Sequence, residues 1–270
     1  MRADDVPAAT QALVDDDWGD RQLWFEFATS QRQCHPFVAV AGTRVVGTGV
    51  GTANGAAGWI GTIWVDPGHR RAGMGRALTD AVIDALTDSG CRTLVLVATD
   101  QGMPLYQGMG FVEEARYQIL EATGLDGAEP ARDLVRAFGP PDLPAMFELD
   151  RLATGEDRSH AIRRFATPLS AKVLEVEGTL RGFVIRAPWG GGATIALDVE
   201  AAALILEARR RASGPAGRVR VGIVTEAGSG DRTFDALGLR PIWSAPRLIR
   251  GDPLDWHPAW IWGQFNHAMG

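Results

Sequence analysis

The chain has 270 residues, 46% of them hydrophobic and 22% charged, an ordinary globular balance in a length that suits two domains. Its formal charge of −6 argues against a general nucleic-acid binder, and the lack of any apolar run approaching about 18 residues argues against a membrane-spanning helix. Cys34 and Cys91 are too few for a disulfide framework and carry no metal-ligand spacing, and the N-terminus lacks an apolar signal core, so a reducing cytoplasm is the expected compartment.

Taken in chain order, Asp4 or Asp5 can cap a helix over residues 7–14, with Pro7 in its first turn. Residues 21–31 continue as a second helix that buries Leu23, Trp24 and Phe27. Residues 37–40 and 44–50 read as strands around a turn at Gly42, and the apolar run 59–65 as a third strand. A glycine-bearing turn follows, His69-Arg70-Arg71-Ala72-Gly73-Met74-Gly75-Arg76, and then an amphipathic helix over residues 77–86. Residues 91–98 form the next strand, 102–108 a short helix holding Tyr106, and 111–120 a closing strand.

The turn at residues 69–76 is the most informative stretch. A strand–turn–helix of this kind aims several backbone N–H groups at one spot, and the helix N-terminus adds partial positive charge there. Gly73 and Gly75 permit backbone approach that a Cβ would block, and Arg70, Arg71 and Arg76 place cationic forks nearby. This describes a pyrophosphate cradle, although no Gly-Lys-Ser/Thr follows and the three-glycine dinucleotide spacing is absent.

The Arg70-x-x-Gly73-x-Gly75 spacing resembles motif A of the GNAT superfamily of acyl-CoA N-acyltransferases. The sequence Leu105-Tyr106-Gln107-Gly108-Met109-Gly110-Phe111 is similar to the short helix of that family ending in Tyr-x-x-x-Gly-Phe. Order, spacing and element type agree over residues 35–120. The resemblance implies that the backbone of Arg70, Arg71, Ala72, Gly73, Met74, Gly75 and Arg76 holds the pyrophosphate of acetyl-CoA. It implies that the strand before the turn splays from its neighbour, with Ile63, Trp64 and Val65 along the pantetheine arm and the Val65 N–H polarising the thioester carbonyl. It also makes Tyr106 the donor of a proton to the departing thiolate.

The same resemblance leaves two departures. The family opens with a strand before its first helix, and here the helix begins almost at Met1, so either the start lies upstream or the sheet edge is supplied differently. The family glutamate on the strand ending at Val65 is also missing. Glu26 on the second helix, His35, or a water chain ending on backbone carbonyls are the alternatives for a general base. Cys34 and Cys91 are candidate acyl carriers in principle, but direct transfer is the expected route.

Residues 123–130 read as a linker, after which the order repeats. Residues 134–138 are the strand that the first half lacks, and Pro141-Asp142-Leu143-Pro144 starts a helix. A hairpin forms about Gly178, followed by a strand over 193–197, a helix over 199–212 and a strand over 219–225. The equivalent of the cradle, Asp198-Val199-Glu200-Ala201, has no glycine or arginine, and Glu200 would repel a phosphate; Phe234 replaces Tyr106. The polar run 154–160 reads as a capped helix start, with pocket lining by Asp157, Arg158 or His160 as the alternative. The tryptophans at 256, 260 and 262 read as packing residues between the copies.

The expected fold is therefore α+β: tandem GNAT-like domains over residues 1–124 and 131–270, each a mixed, mostly antiparallel sheet flanked by helices, the second degenerate. The expected function is transfer of an acetyl group from acetyl-CoA to a primary amine of a small molecule or peptide. The expectation includes no metal, no nucleic acid and no membrane partner. The alternative is a non-catalytic acyl-CoA-binding or regulatory protein.

Overall fold

The computed structural model describes residues 1–127, 134–225 and 237–270, and its contacts divide into two compact units. The first unit comprises Met1–Val112, Leu248–Pro253 and His267–Gly270; the second comprises Glu113–Arg247 and Leu254–Asn266. Residues 128–130 of the expected linker, and Phe234, lie outside the described residues. Strands gather into two sheets flanked by helices, the α+β class expected.

In the first unit the order is α1 (Val6–Asp15), α2 (Gln22–Ser30), β1 (Cys34–Ala41), β2 (Arg44–Asn54), β3 (Ala57–Val65), α3 (Met74–Asp88), β4 (Thr93–Val97) and α4 (Met103–Gln107). The strands lie in the order β1-β2-β3-β4, antiparallel for the first two pairings and parallel for the third. Helix α2 buries Trp24, Phe25, Phe27 and Ala28, whereas Leu23, expected in the core, is 50% exposed. Phe25 takes that place because Trp24 and Phe27 fix which face of the helix turns inward.

Helix α3 carries an apolar stripe of Leu78, Val82, Ile83 and Leu86, all buried. Burial of each such side chain stabilises the fold by about 1.5–3 kcal/mol. The stripe can approach the sheet because alternate residues of β2 are glycine. A Cβ on Gly47 would lie 2.8 Å from Leu78 Cδ1, and one on Gly51 3.0 Å from Val82 Cγ1. The glycines of β2 are thus a trough for α3.

Near its end β3 bulges. Val50 faces Gly61 and Thr48 faces Trp64, so β3 carries one residue more than β2 between these pairs. Thr62 sits at φ 52°, an uncommon conformation for a β-branched residue that costs on the order of 1–3 kcal/mol. Two bonds hold it: Thr48 Oγ1 donates to the Thr62 carbonyl at 2.8 Å, and Trp24 Nε1 donates to Thr62 Oγ1 at 3.1 Å. The opposite side of Gly61 is closed by Ala268; Thr52 Oγ1 donates to the Ala268 carbonyl at 2.9 Å, and Asn54 Nδ2 to that of Met269 at 3.0 Å.

The second unit holds β5 (Val112–Thr123) from Glu113 on, β6 (Val135–Ala137), α5 (Leu143–Thr154), α6 (Ser159–Phe165), β7 (Ala171–Val176), β8 (Thr179–Arg186), β9 (Gly192–Ala196), α7 (Val199–Ser213), β10 (Arg218–Thr225), most of β11 (Arg240–Gly251) and β12 (Ile261–Gly263). The order β12-β9-β8-β7-β6 is antiparallel throughout, and β10 pairs antiparallel with β5. Strand β6 pairs with β7 and is the strand expected at residues 134–138. The polar run after α5 folds inward: the Arg158 guanidinium bonds both carboxylate oxygens of Asp150, and each side chain is 1% exposed. The capped helix start expected from Thr154 does not form: Thr154 ends α5 and donates to the Asp150 carbonyl at 2.7 Å, while Asp157, one residue before the N-cap Arg158 of α6, accepts from the Ser159 N–H at 3.1 Å. No described helix is long and apolar enough to cross a membrane.

Candidate active site

The cradle is built by a short 3-10 turn, Pro67–His69, and the N-terminus of α3. Asp66 shapes its entry, accepting from the Gly68 N–H at 2.9 Å and bonding His69 Nδ1 at 2.9 Å. The His69 bond, with help from Gly68 and Arg44, holds the Asp66 carboxyl below its ordinary range. The chain then turns through left-handed backbone at Arg71 (φ 63°) and Gly73 (φ 84°). Gly73 is the N-cap of α3 and offers no side-chain acceptor. The first helical bond runs from the Ala77 N–H to the Gly73 carbonyl at 3.0 Å, so the N–H groups of Met74, Gly75 and Arg76 precede it in the open first turn.

Gly75 marks the point where three elements meet. A Cβ there would touch nothing nearer than Leu105 Cδ2 on α4, at 3.7 Å, and Val65 Cγ2 at the end of β3, at 3.8 Å. Internal packing therefore leaves room for a side chain at Gly75. The residue bares the helix start to whatever approaches from outside.

Strand β3 leaves β4 below this point. Their pairing runs from Ala57 with Thr93 to Ile60 with Leu96, and residues 61–65 continue beyond it. On the β2 side, the Asp66 N–H donates to the Val46 carbonyl at 2.9 Å. Antiparallel pairs alternate, so Val65, one residue back and opposite Gly47, turns its N–H and C=O away from β2. Both groups face the side from which β4 has departed. The Trp64 side chain is buried and its indole donates to Asp16 at 2.8 Å; Ile63 lies against the α3 trough, its Cδ1 2.9 Å from where a Cβ on Gly49 would sit.

Tyr106 sits on α4, one residue from Leu105, and is 8% exposed. Its ring meets Phe111 edge-on at 6.1 Å, and Gly102 makes room for it, since a Cβ there would lie 2.9 Å from Cε2. Burial pushes the phenol up to about 12, so it remains protonated across the physiological range.

The three arginines of the motif are used differently. Arg71 is exposed, and Arg76 is loosely paired with Asp80 at 3.7 Å. Arg70 is turned back into the protein, where it bonds Asp16 and donates from Nε to the Val65 carbonyl at 2.8 Å. Among the base candidates, Glu26 accepts from Gln22 at 2.8 Å on the exposed face of α2. Trp24 faces Thr62, and a residue two positions on lies about 200° round the helix, so Glu26 points away from β3. His35 bonds Ser89 at the far end of α3, about 20 Å from the cradle by helix length. Cys34 is buried and pushed up to about 12, a protonated thiol. Beside α1 a cleft of about 660 Å³ is lined by Asp15, Asp16, Arg44, Trp64 and Asp66; it touches the cradle at Gly68 but not Tyr106.

Comparison with known proteins places these features. Residues 4–111 match the acetyltransferase (GNAT) family. A glucosamine 6-phosphate N-acetyltransferase of Trypanosoma brucei brucei is 32% identical over 66 residues, covering 24% of this chain and 45% of that relative, so the match spans less than half of its length. A putative acetyltransferase from Pyrococcus horikoshii superposes with a TM-score of 0.80 at 21% identity, covering 100% of this chain and 94% of the other. A tandem GNAT protein from the clavulanic acid biosynthesis pathway superposes with a TM-score of 0.60 at 18% identity, covering 94% and 98%. Residues 4–111 thus match the acetyltransferase (GNAT) family, and the chain shares its fold with these two structures, one of them a tandem GNAT protein.

Proposed function

We propose that the first unit transfers an acetyl group from acetyl-CoA directly to a primary amine, while the second unit supports it without a cofactor of its own. The observation that carries this is the convergence at Gly75, where the open start of α3, the freed end of β3 and the tyrosine helix come within contact distance. The N–H groups of Gly73, Met74, Gly75 and Arg76 suit a pyrophosphate, assisted by the Arg71 and Arg76 charges. The Val65 N–H suits the oxygen of a thioester carbonyl as charge develops there.

In this reading the amine nitrogen forms the new C–N bond as the C–S bond breaks. The amine proton leaves to solvent water, since Glu26 and His35 are turned elsewhere. The Tyr106 hydroxyl gives its proton to the departing sulfur and is reprotonated from water. Acetyl-CoA itself, and the amine class, are carried over from the family resemblance.

Purified protein with acetyl-CoA and an amine panel, followed by thiol release, tests the proposal. The named relative adds amino sugar phosphates to the panel beside peptides and polyamines. Amine-dependent thiol release is the expected result. Tight acetyl-CoA binding with no release above hydrolysis for any amine would favour a binding or regulatory protein instead.

A further inference from the structure

The side chain of Arg70 ends in two bonds already made. One joins its guanidinium to Asp16, and the other runs from Nε to the Val65 carbonyl at 2.8 Å. Asp16 accepts a second bond, from Trp64 Nε1 at 2.8 Å. Asp16 is the C-cap of α1, Trp64 and Val65 end β3, and Arg70 opens the cradle. Four residues from three segments of the first unit are thereby closed into one clamp. A planar guanidinium fits this task because its donors form a rigid fork able to serve a carboxylate and a carbonyl together.

The clamp has a chemical consequence at the carbonyl. Val65 C=O faces the same side as Val65 N–H, where an incoming anion or thioester oxygen would meet its lone pairs. Arg70 occupies that acceptor and sets the Val65 peptide. We infer that Arg70 and Asp16 are positioning residues, which hold the end of β3 and the cradle in register without themselves touching phosphate. This rests on the proposed acetyl-CoA site and gives Arg70, of the three arginines in the sequence motif, a role other than phosphate contact.

Four variants test it: Asp16→Asn, Arg70→Gln, Arg70→Lys and the double variant Asp16→Asn/Arg70→Gln. Lysine keeps the charge but cannot serve both partners in the same plane, so Arg70→Lys should behave like Arg70→Gln. Each single variant should weaken acetyl-CoA binding about 3–30-fold, and the double variant should be no worse than the worse single, because one clamp is lost only once. In the free proteins, amide hydrogen exchange over residues 65–76 should rise in all four variants. Wild-type affinity in Arg70→Lys, or independent multiplying losses in the double variant, would overturn the inference in favour of a direct phosphate contact. Unchanged exchange over residues 65–76 would overturn it as well. The exchange arm needs no cofactor, so failure of the wild type to bind acetyl-CoA would count against the proposed function alone.

Discussion

Two helix starts stand at equivalent places in the two copies and are finished in opposite ways. At α3 the N-cap is Gly73, with no side chain to satisfy the first turn. At α7 it is Asp198, whose carboxylate accepts from the Ala201 N–H at 2.8 Å and pairs with Arg181. A helix N-terminus attracts one anion; in the second copy the protein supplies that anion itself. The neighbouring strands differ in the same sense. Beyond Ile60, β3 parts from β4, whereas β9 has its open side taken by β12, with Ile261 opposite Ile195 and Gly263 opposite Thr194. Gln264 follows, donating to the Gly222 carbonyl of β10 at 2.8 Å. In the proposed site the first copy leaves these backbone groups to a ligand, whereas the second uses its own internally. Degeneracy here means a site filled in, as well as a motif lost.

The largest effect that would sharpen this contrast lies at Tyr106. If it protonates the leaving sulfur, Tyr106→Phe should cut turnover by about 10²–10⁴-fold with little change in acetyl-CoA affinity, because the ring and its packing remain. The raised phenol pKa gives a sign to check. An acid near 12 is protonated below that value and lost as pH rises through it, so no fall in rate below pH ~10 should trace to Tyr106. Single-turnover rates across pH, for wild type and variant, provide both answers. Near-wild-type turnover in Tyr106→Phe would return the residue to a packing role.

The second copy should respond in stability instead. Removing one partner of the buried Asp150–Arg158 pair leaves a charge stranded, so Asp150→Ala should destabilise that unit by about 3–5 kcal/mol in denaturant unfolding. Asp198→Ala should cost less, about 0.5–2 kcal/mol for the lost cap, and should not create a second acetyl-CoA site because β12 still lines β9. Acquired binding in Asp198→Ala would break the comparison. The smallest effect is expected at the cysteines: Cys34→Ser and Cys91→Ser should keep most of the activity, and acetyl-CoA alone should leave no acetyl adduct by mass spectrometry. A stoichiometric adduct on either would favour a covalent route.

Much of this was legible before the structure. The strand–turn–helix order, the helix over α3 and the repeat into the second half all follow from local periodicity and turn residues, which neighbouring positions determine. What escaped depended on distant partners. Strand β12 is three residues long and pairs with a strand some 65 positions earlier, so no periodic pattern announces it. The bonds of Arg70 were invisible because an arginine beside two glycines looks the same whether it faces a phosphate or Asp16. Two local signals do point to such features. Asp198 before an apolar-periodic helix is an N-cap pattern, and the alternating glycines of β2 mark a face approached closely by something else.

Calorimetric titration of the whole chain with acetyl-CoA tests the central claim most directly. One open copy and one filled copy predict a single site per chain, abolished by Arg71→Glu with Gly73→Asp, which places a repelling charge at the cradle and a side chain at φ 84°. Two equivalent sites per chain, or unchanged affinity in that double variant, would contradict it.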